Sequence, residues 1–272
     1  MAINFAEKYS NKVDERFTHA SFTEAAFNRD YDFSGVNTVN VYSIPTAPMN
    51  DYTMTGNNRY GTPNELGDST QALTLTQDRA FTFTIDRRNY EDTMMVKESG
   101  RALRRQLDEV TIPEVDTYRV GKLAAGAGSS GTGAIASNNA YDSFLRGVTT
   151  LLDNKAPLAG TFAFIGNNFY RYIRQDLSFM KASDTAQNML VTGQVGTIEN
   201  IPLIFVPTLY MPTGTEFIIT NKIAAWAAQK LAEYKIHDNP PGINGWLIEG
   251  RVYHDCGILN NKNKAIYVHR AS

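Results

Sequence analysis

The chain has 272 residues, 26 of them basic and 28 acidic, for a net charge of −2. It therefore lacks the basic excess of a protein that lives on phosphate backbones. Its single cysteine, Cys256, rules out an intrachain disulfide framework, and its longest apolar runs, such as Ile201–Val206 with Pro202 inside, fall far short of a membrane span.

The N-terminal run MAINFAEKYSNK has none of the charged-then-apolar pattern of a secretory signal, and Asn-X-Ser/Thr sequons are absent. Within residues 1–37, Phe5, Tyr9, Val13 and Phe17 recur at helical spacing. Such a stripe serves either a terminal helix docked on its own core or an arm docked on another subunit.

Residues 38–88 read as a large two-stranded excursion. A strand over Thr38–Ile44 leads to a tip rich in turn formers, including Pro45, Pro48, Gly56, Gly61, Pro63 and Gly67. The tip also carries Met49, Tyr52, Met54 and Tyr60. The chain returns through Gln71–Arg87, where Leu73, Leu75, Phe81, Phe83 and Ile85 alternate with Thr74, Thr76, Thr82 and Thr84. That period of two predicts a strand with one covered face, which would span roughly 55 Å if unbroken.

Residues 89–137 begin with a helix predicted over Tyr90–Ala125, with Met94, Met95, Leu103, Leu107, Val110, Val115, Tyr118 and Leu123 as its apolar positions. Its length would be on the order of 50 Å. Pro113 is expected to kink it, and Gly126–Gly133 reads as a flexible hinge. Residues 138–234 alternate: helices at Tyr141–Leu152 and Asn168–Leu177, strands at Thr161–Ile165 and Glu216–Thr220, and a strand or hairpin at Thr197–Val206. An alanine-rich helix is expected at Asn221–Tyr234. Residues 235–272 hold a Pro240-Pro241-Gly242 turn and strands at Trp246–Asp255 and Lys264–Val268.

Chemical motifs are few. Gly126-Ala127-Gly128-Ser129-Ser130-Gly131 matches the dinucleotide fingerprint in letters. That motif works only where a strand delivers the chain and a helix receives the pyrophosphate, whereas Leu123–Ala125 is expected to be helical. A nucleotide-dependent enzyme built on this run is the alternative from another functional class. His254, Asp255 and Cys256 place two metal-ligand types on one strand face, too few for a tetrahedral site. Cys256 reads as a small buried hydrophobe. The carboxylates Glu91, Asp92, Asp108 and Glu109 share a helix with Arg101, Arg104 and Arg105. Pairing of Arg104 with Asp108 and Arg105 with Glu109 at i,i+4 accounts for the latter two.

Several segments together resemble the major capsid proteins of tailed bacteriophages. They are Ile85-Asp86-Arg87-Arg88-Asn89-Tyr90, Leu103-Arg104-Arg105-Gln106 and Ile112-Pro113-Glu114-Val115-Asp116-Thr117-Tyr118, which are similar to that family's spine-helix region. Phe162–Gly166, Gly196–Pro202 and Val206-Pro207 resemble its axial domain, and Gly250–Asp255 with Ala265–Val268 its returning strands. The resemblance implies an α+β chain with the Hong Kong 97-type capsid fold. Its parts would be an N-terminal arm at 1–37, an extended β-hairpin loop at 38–88, and a long spine helix with hinge at 89–137. An axial domain at 138–234 and returning peripheral-domain strands at 235–272 would complete it.

The implied function is a major head protein, not an enzyme, that self-assembles into an icosahedral shell enclosing double-stranded phage DNA. An encapsulin-type nanocompartment shell is the alternative within the same architecture. The implied partners are other copies in hexamers and pentamers, separate scaffolding and portal proteins, and decoration proteins. No membrane and no cofactor is expected, and the location is the virion, with assembly in the host cytoplasm. No lysine occurs between Lys12 and Lys97, so the loop lacks the amine some relatives use for a covalent crosslink. The arm before residue 38 is expected to be too short for a fused scaffolding segment. The expected subunit-interface residues are Met49, Asp51, Tyr52, Tyr60, Glu65 and Asp68 on the loop, with Arg101 and Arg105 on the helix.

Overall fold

The computed structural model describes residues 21–33, 36–63, 65–92, 99–182 and 196–271. The stripe of Phe5, Tyr9, Val13 and Phe17, and the pair Met94 and Met95, lie outside these residues. The first strands of the described residues form a two-stranded antiparallel ribbon, β1 (Thr38–Ser43) and β2 (Ser69–Thr74), in a register that sets Thr38 opposite Thr74 and Ser43 opposite Ser69. Strand β3 (Gln77–Asp86) follows. The predicted single strand over Gln71–Arg87 is therefore divided between two sheets. The alternation itself holds, since Leu73, Leu75 and Ile85 are buried while the threonines between them are exposed. The break falls at Thr76, whose N–H donates to the Asp255 carboxylate at 2.8 Å instead of to a ladder partner.

The long helical segment runs as α1 (Arg87–Asp92), α2 (Ser99–Gln106) and α3 (Ile112–Gly126), with a π-helical turn at Leu107–Thr111 joining the last two. This wider turn immediately precedes Pro113, where a kink was expected. The proline has no N–H to give the carbonyl one turn back, and its ring crowds that turn. The Ile112 N–H reaches back to the Leu107 carbonyl, five residues away, which opens the turn.

The Gly126–Gly133 run is a strand, not a hinge. There β4 (Ser129–Thr132) pairs in parallel with the C-terminal strand β11 (Ile266–Arg270). Between them in sequence lie α4 (Ala140–Asp153), β5 (Thr161–Ile165), α5 (Asn167–Gln175), α6 (Leu177–Ala182), β6 (Thr197–Ile198), β7 (Ile201–Phe205) and β8 (Thr215–Asn221). The long strands β9 (Ala225–Asp238) and β10 (Gly245–Ile258) come after these.

A six-stranded sheet in the order β4-β11-β8-β5-β7-β6 forms the larger body. Residues alternate across it as the pleat requires. Ala163, Ile165, Phe217, Ile219 and Tyr267 pack with Phe144 of α4 and Phe169 of α5. On the opposite face Phe164, Ile218, Ile266 and Val268 pack with Val120, Leu123 and Ala124 of α3 and with Phe27. Phe217 is the hub of the first layer, with its ring centre 4.8 Å from Phe169 and 5.6 Å from Phe144. Strand β11 lies inside this sheet, between β4 and β8.

A three-stranded sheet, β3-β10-β9, is hydrogen-bonded separately, and Ala225, Ala227 and Cys256 at its end pack with Ile218, Ile266 and Val268 of the larger sheet. The expected helix over Asn221–Tyr234 is here the strand β9. Its alanines favour a helix locally, but pairing with β10 from Ala225↔Ile258 to Asp238↔Trp246 overrides that preference. The two strands are joined through the Pro240-Pro241-Gly242 turn, where Gly242 has φ +85°.

Candidate assembly site

The exposed loop between β1 and β2 is bound near its base by a buried acid. Asp255, 5 % exposed, accepts from the Thr76 N–H at 2.8 Å and the Thr76 hydroxyl at 2.6 Å through one oxygen. Its other oxygen accepts from the Tyr118 hydroxyl of α3 at 2.9 Å and the Cys256 N–H at 2.7 Å. One carboxylate thereby ties together the loop's point of departure, the spine helix and β10. Burial, and donation to Asp255, push the Tyr118 phenol above its ordinary value.

Further contacts stiffen the same junction. The Tyr253 hydroxyl donates to the Leu75 carbonyl at 3.0 Å. Gln71 donates to the Ile258 carbonyl and accepts from the Asn260 N–H, each at 2.9 Å. Leu73 and Leu75 are buried against Phe33, Trp226 and Leu259, and the Phe33 and Trp226 rings stack at 5.7 Å.

Beyond the ribbon the character reverses. Residues 44–63 and 65–68 contain no helix or strand, and their large apolar side chains face outward. Met49 is 97 % exposed, Met54 and Tyr60 are each 84 %, and Tyr42, Ile44 and Tyr52 are also exposed. Tyr52 and Tyr60 meet edge to face at 5.1 Å, and the turn between them closes with the Thr53 N–H on the Arg59 carbonyl at 3.1 Å. None of these side chains joins a buried apolar cluster of the described residues.

Of the residues expected at an interface, Met49, Asp51, Tyr52, Tyr60, Glu65 and Asp68 are all exposed on this loop. Arg101 and Arg105 are exposed on α2, and Arg105 already pairs with Glu109 at 2.9 Å, the predicted i,i+4 contact. Within one subunit the loop acids and these arginines are not brought together as ion pairs.

A second clasp was not legible in advance. Asp116 of α3, 1 % exposed, accepts from the Ser21 hydroxyl at 2.8 Å, the Phe22 N–H at 3.2 Å and the Thr23 hydroxyl at 2.5 Å. Arg119, one turn on and also buried, donates to the Thr23 hydroxyl at 3.0 Å and lies over the Phe27 ring. The start of the described chain is thus fixed to the spine helix. The signal available in sequence was the i,i+3 placement of Asp116 and Arg119 on the face that carries Val120 and Leu123.

The motifs singled out for chemistry resolve differently. Burial pushes the Cys256 thiol up to about 12, and burial with Arg119 nearby pushes the His254 imidazole down. Among the described residues no group of three His, Cys, Asp or Glu side chains could hold a metal. The glycine run enters from a helix and continues as a strand, the reverse of a dinucleotide site. A Cβ on Gly128 would stand 2.6 Å from the Asn263 backbone, so these glycines allow close packing and leave no cradle for a pyrophosphate. The nucleotide-enzyme alternative fails on this geometry.

Residues 67–268 match the sequence profile of the family described as phage capsid protein. The chain belongs to the phage capsid protein family. No curated protein sequence matches it. Solved structures similar to this capsid protein include that of Mycobacterium phage Che8, with TM-score 0.78, 14% identity, and coverage of 97% of this chain and 96% of that one. The capsid structure of cyanophage P-SCSP1u matches with TM-score 0.78 and 13% identity over 98% and 93%. The mature capsid of bacteriophage PhiM1 matches with TM-score 0.76 and 8% identity over 98% and 92%. The Hong Kong 97-type fold expected from the sequence is the fold found, and the capsid protein is a shell-forming component of a virion.

Proposed function

We propose that this capsid protein is the major head subunit, assembling as hexamers and pentamers into a closed icosahedral shell around double-stranded DNA. The work is mechanical, and no chemical step is assigned to any residue. The observation that carries this reading is the contrast within one loop: a base fixed by Asp255, Gln71 and a buried apolar cluster, and a tip with Met49, Met54 and Tyr60 bare. A rigid lever ending in an apolar surface suits overlap onto a neighbour, and closed symmetry repeats each small contact many times. The near-neutral charge suits a wall that must not hold the genome as it enters.

In this reading the extended loop and spine helix form a peripheral domain, the six-stranded body forms an axial domain, and separate scaffolding, portal and decoration proteins act during assembly in the host cytoplasm. The loop of one subunit approaches α2 of the next, where Arg101 and Arg105 meet Asp51, Glu65 and Asp68. One exposed ion pair contributes only about 0–1 kcal/mol, so the test reverses two charges at once. The double variant Arg101→Glu, Arg105→Glu should fold with a normal circular dichroism spectrum and form no regular particles in electron micrographs. Normal particles would refute this contact.

A further inference from the structure

Strand β9 is an edge of the three-stranded sheet, and among the described residues its free side meets other backbone only at one end. There the Asn28 N–H donates to the Ala225 carbonyl at 2.8 Å, and the Ala227 N–H donates to the Asn28 carbonyl at 2.9 Å. From Ala232 to Asp238 no second strand pairs with it, and every residue is exposed. This stretch keeps an unbroken register with β10, from Ala232↔Val252 to Asp238↔Trp246, with neither proline nor bulge to blunt it. Such an edge is a template for another extended chain.

The side chains divide by face as the pleat requires. Glu233 and Lys235 share one face and pair with each other at 3.2 Å. Ala232, Tyr234 and Ile236 share the other, where the Tyr234 ring stacks on Phe81 at 6.3 Å yet remains exposed, as does Ile236. The opposite edge of the sheet, β3, has its charges engaged inside the subunit. Arg79 pairs with Glu114, and Asp78 accepts two bonds from Arg251 at 2.9 and 2.6 Å.

Only every second residue of an edge strand turns its N–H and C=O outward, and antiparallel pairing sets such residues opposite one another. A strand paired with its own copy is therefore centred on a residue, not between two. Centring on Glu233 or Lys235 sets that charge against itself, and centring on Ile236 sets Lys235 against His237. Centring on Tyr234 sets Glu233 opposite Lys235 twice and Ala232 opposite Ile236 twice. The four charges then alternate in sign on one face, while the two tyrosines meet on the other.

We propose that β9 pairs antiparallel with β9 of a second copy of this chain, about a two-fold axis at Tyr234, joining two three-stranded sheets into one of six strands. The strand stretch is a small contact beside the roughly 1,000 Å² of a stable interface. It belongs to an assembly that already brings two edges together, and in this respect it rests on the proposed shell. A contact within a cyclic ring is head-to-tail, so this two-fold one joins ring to ring.

The test is disulfide trapping in the full chain, with diamide taking the two electrons and two protons of each thiol pair. In the pairing, Tyr234 lies opposite its own copy at about 4.5–5.5 Å between Cα atoms, within disulfide reach. Tyr234→Cys should give a band at twice the 30.2 kDa of the subunit on a non-reducing gel, and the parent protein, whose Cys256 is buried, should not. Ile236→Cys alone should not, because it is offset from its own copy by roughly 13 Å. A mixture of Ile236→Cys and Ala232→Cys chains should crosslink, which decides the matter even if Tyr234→Cys does not fold. Adding Lys235→Glu to Tyr234→Cys should lower the dimer yield about fivefold, and adding Glu233→Lys as well should restore it. No dimer from either arrangement, equal crosslinking of Ile236→Cys alone, or no restoration by the charge swap would each overturn the pairing. Normal particles without the crosslink would leave the shell reading standing, whereas a protein with neither particles nor crosslink would overturn both.

Discussion

Asp255 illustrates how much of this subunit rests on single buried acids. Four donors from three parts of the chain converge on its two oxygens. Asp255→Ala leaves those donors unpaired in a site closed to water and should cost about 2–4 kcal/mol in urea denaturation. Asp255→Asn keeps the shape and one acceptor oxygen and should cost less. Beside it, Cys256 should be silent to a thiol reagent at about pH 8 in the native protein, since burial holds its pKa at about 12, and should react once guanidinium unfolds the chain.

His254 gives a pH dependence of definite sign. Its folded value is depressed by burial and by Arg119, so the folded state keeps it neutral while the unfolded chain takes up a proton below about pH 6.5. The stability tied to this site is complete above that pH and is lost as pH falls from there towards the depressed folded value. The melting temperature should drop between about pH 7 and pH 5, and His254→Leu should flatten that slope. The sequence reading of Cys256 as a small buried hydrophobe holds, while the anchoring role of Asp255 was not legible there. That role depends on Thr76 and Tyr118, which are distant in sequence.

Among elements, those with strong internal periodicity were the legible ones. The alternation of Leu73, Phe81 and Ile85 marked a half-covered strand, and the helices near Tyr141 and Asn168 formed within a residue or two of expectation. The misread segments were those decided by distant partners. The alanines of β9 favour a helix until β10 is beside them, and Gly128 and Gly131, just before and within β4, look flexible until Asn263 and Tyr267 fill the space around them. Gly250 is a case where the partner dictates the residue. Phe81 and Tyr234 flank it in register and stack at 6.3 Å, and a Cβ there would stand 2.4 Å from the Phe81 ring. Gly250→Val should therefore destabilise the three-stranded sheet by about 1–3 kcal/mol, visible as a lower denaturation midpoint.

For the whole molecule, the Hong Kong 97-type fold was readable, while the membership of β11 in the six-stranded sheet was not, because a strand's sequence does not name its neighbours. The loop tip expected to be sticky is bare in the single subunit, which is what a surface reserved for another copy requires. With no lysine between Lys12 and Lys97, particles boiled in denaturant should run as a single 30.2 kDa band, and a reductant-resistant ladder would reveal a crosslink of another kind. The central claim, that the anchored loop exists to join subunits, is tested most directly by light scattering on purified protein with residues 46–66 replaced by a short Gly-Ser turn. The intact protein should elute as capsomers or closed shells and the variant as a folded monomer with unchanged melting temperature. Equal particle mass for both proteins, or an intact protein that stays monomeric at every salt and protein concentration, would contradict it.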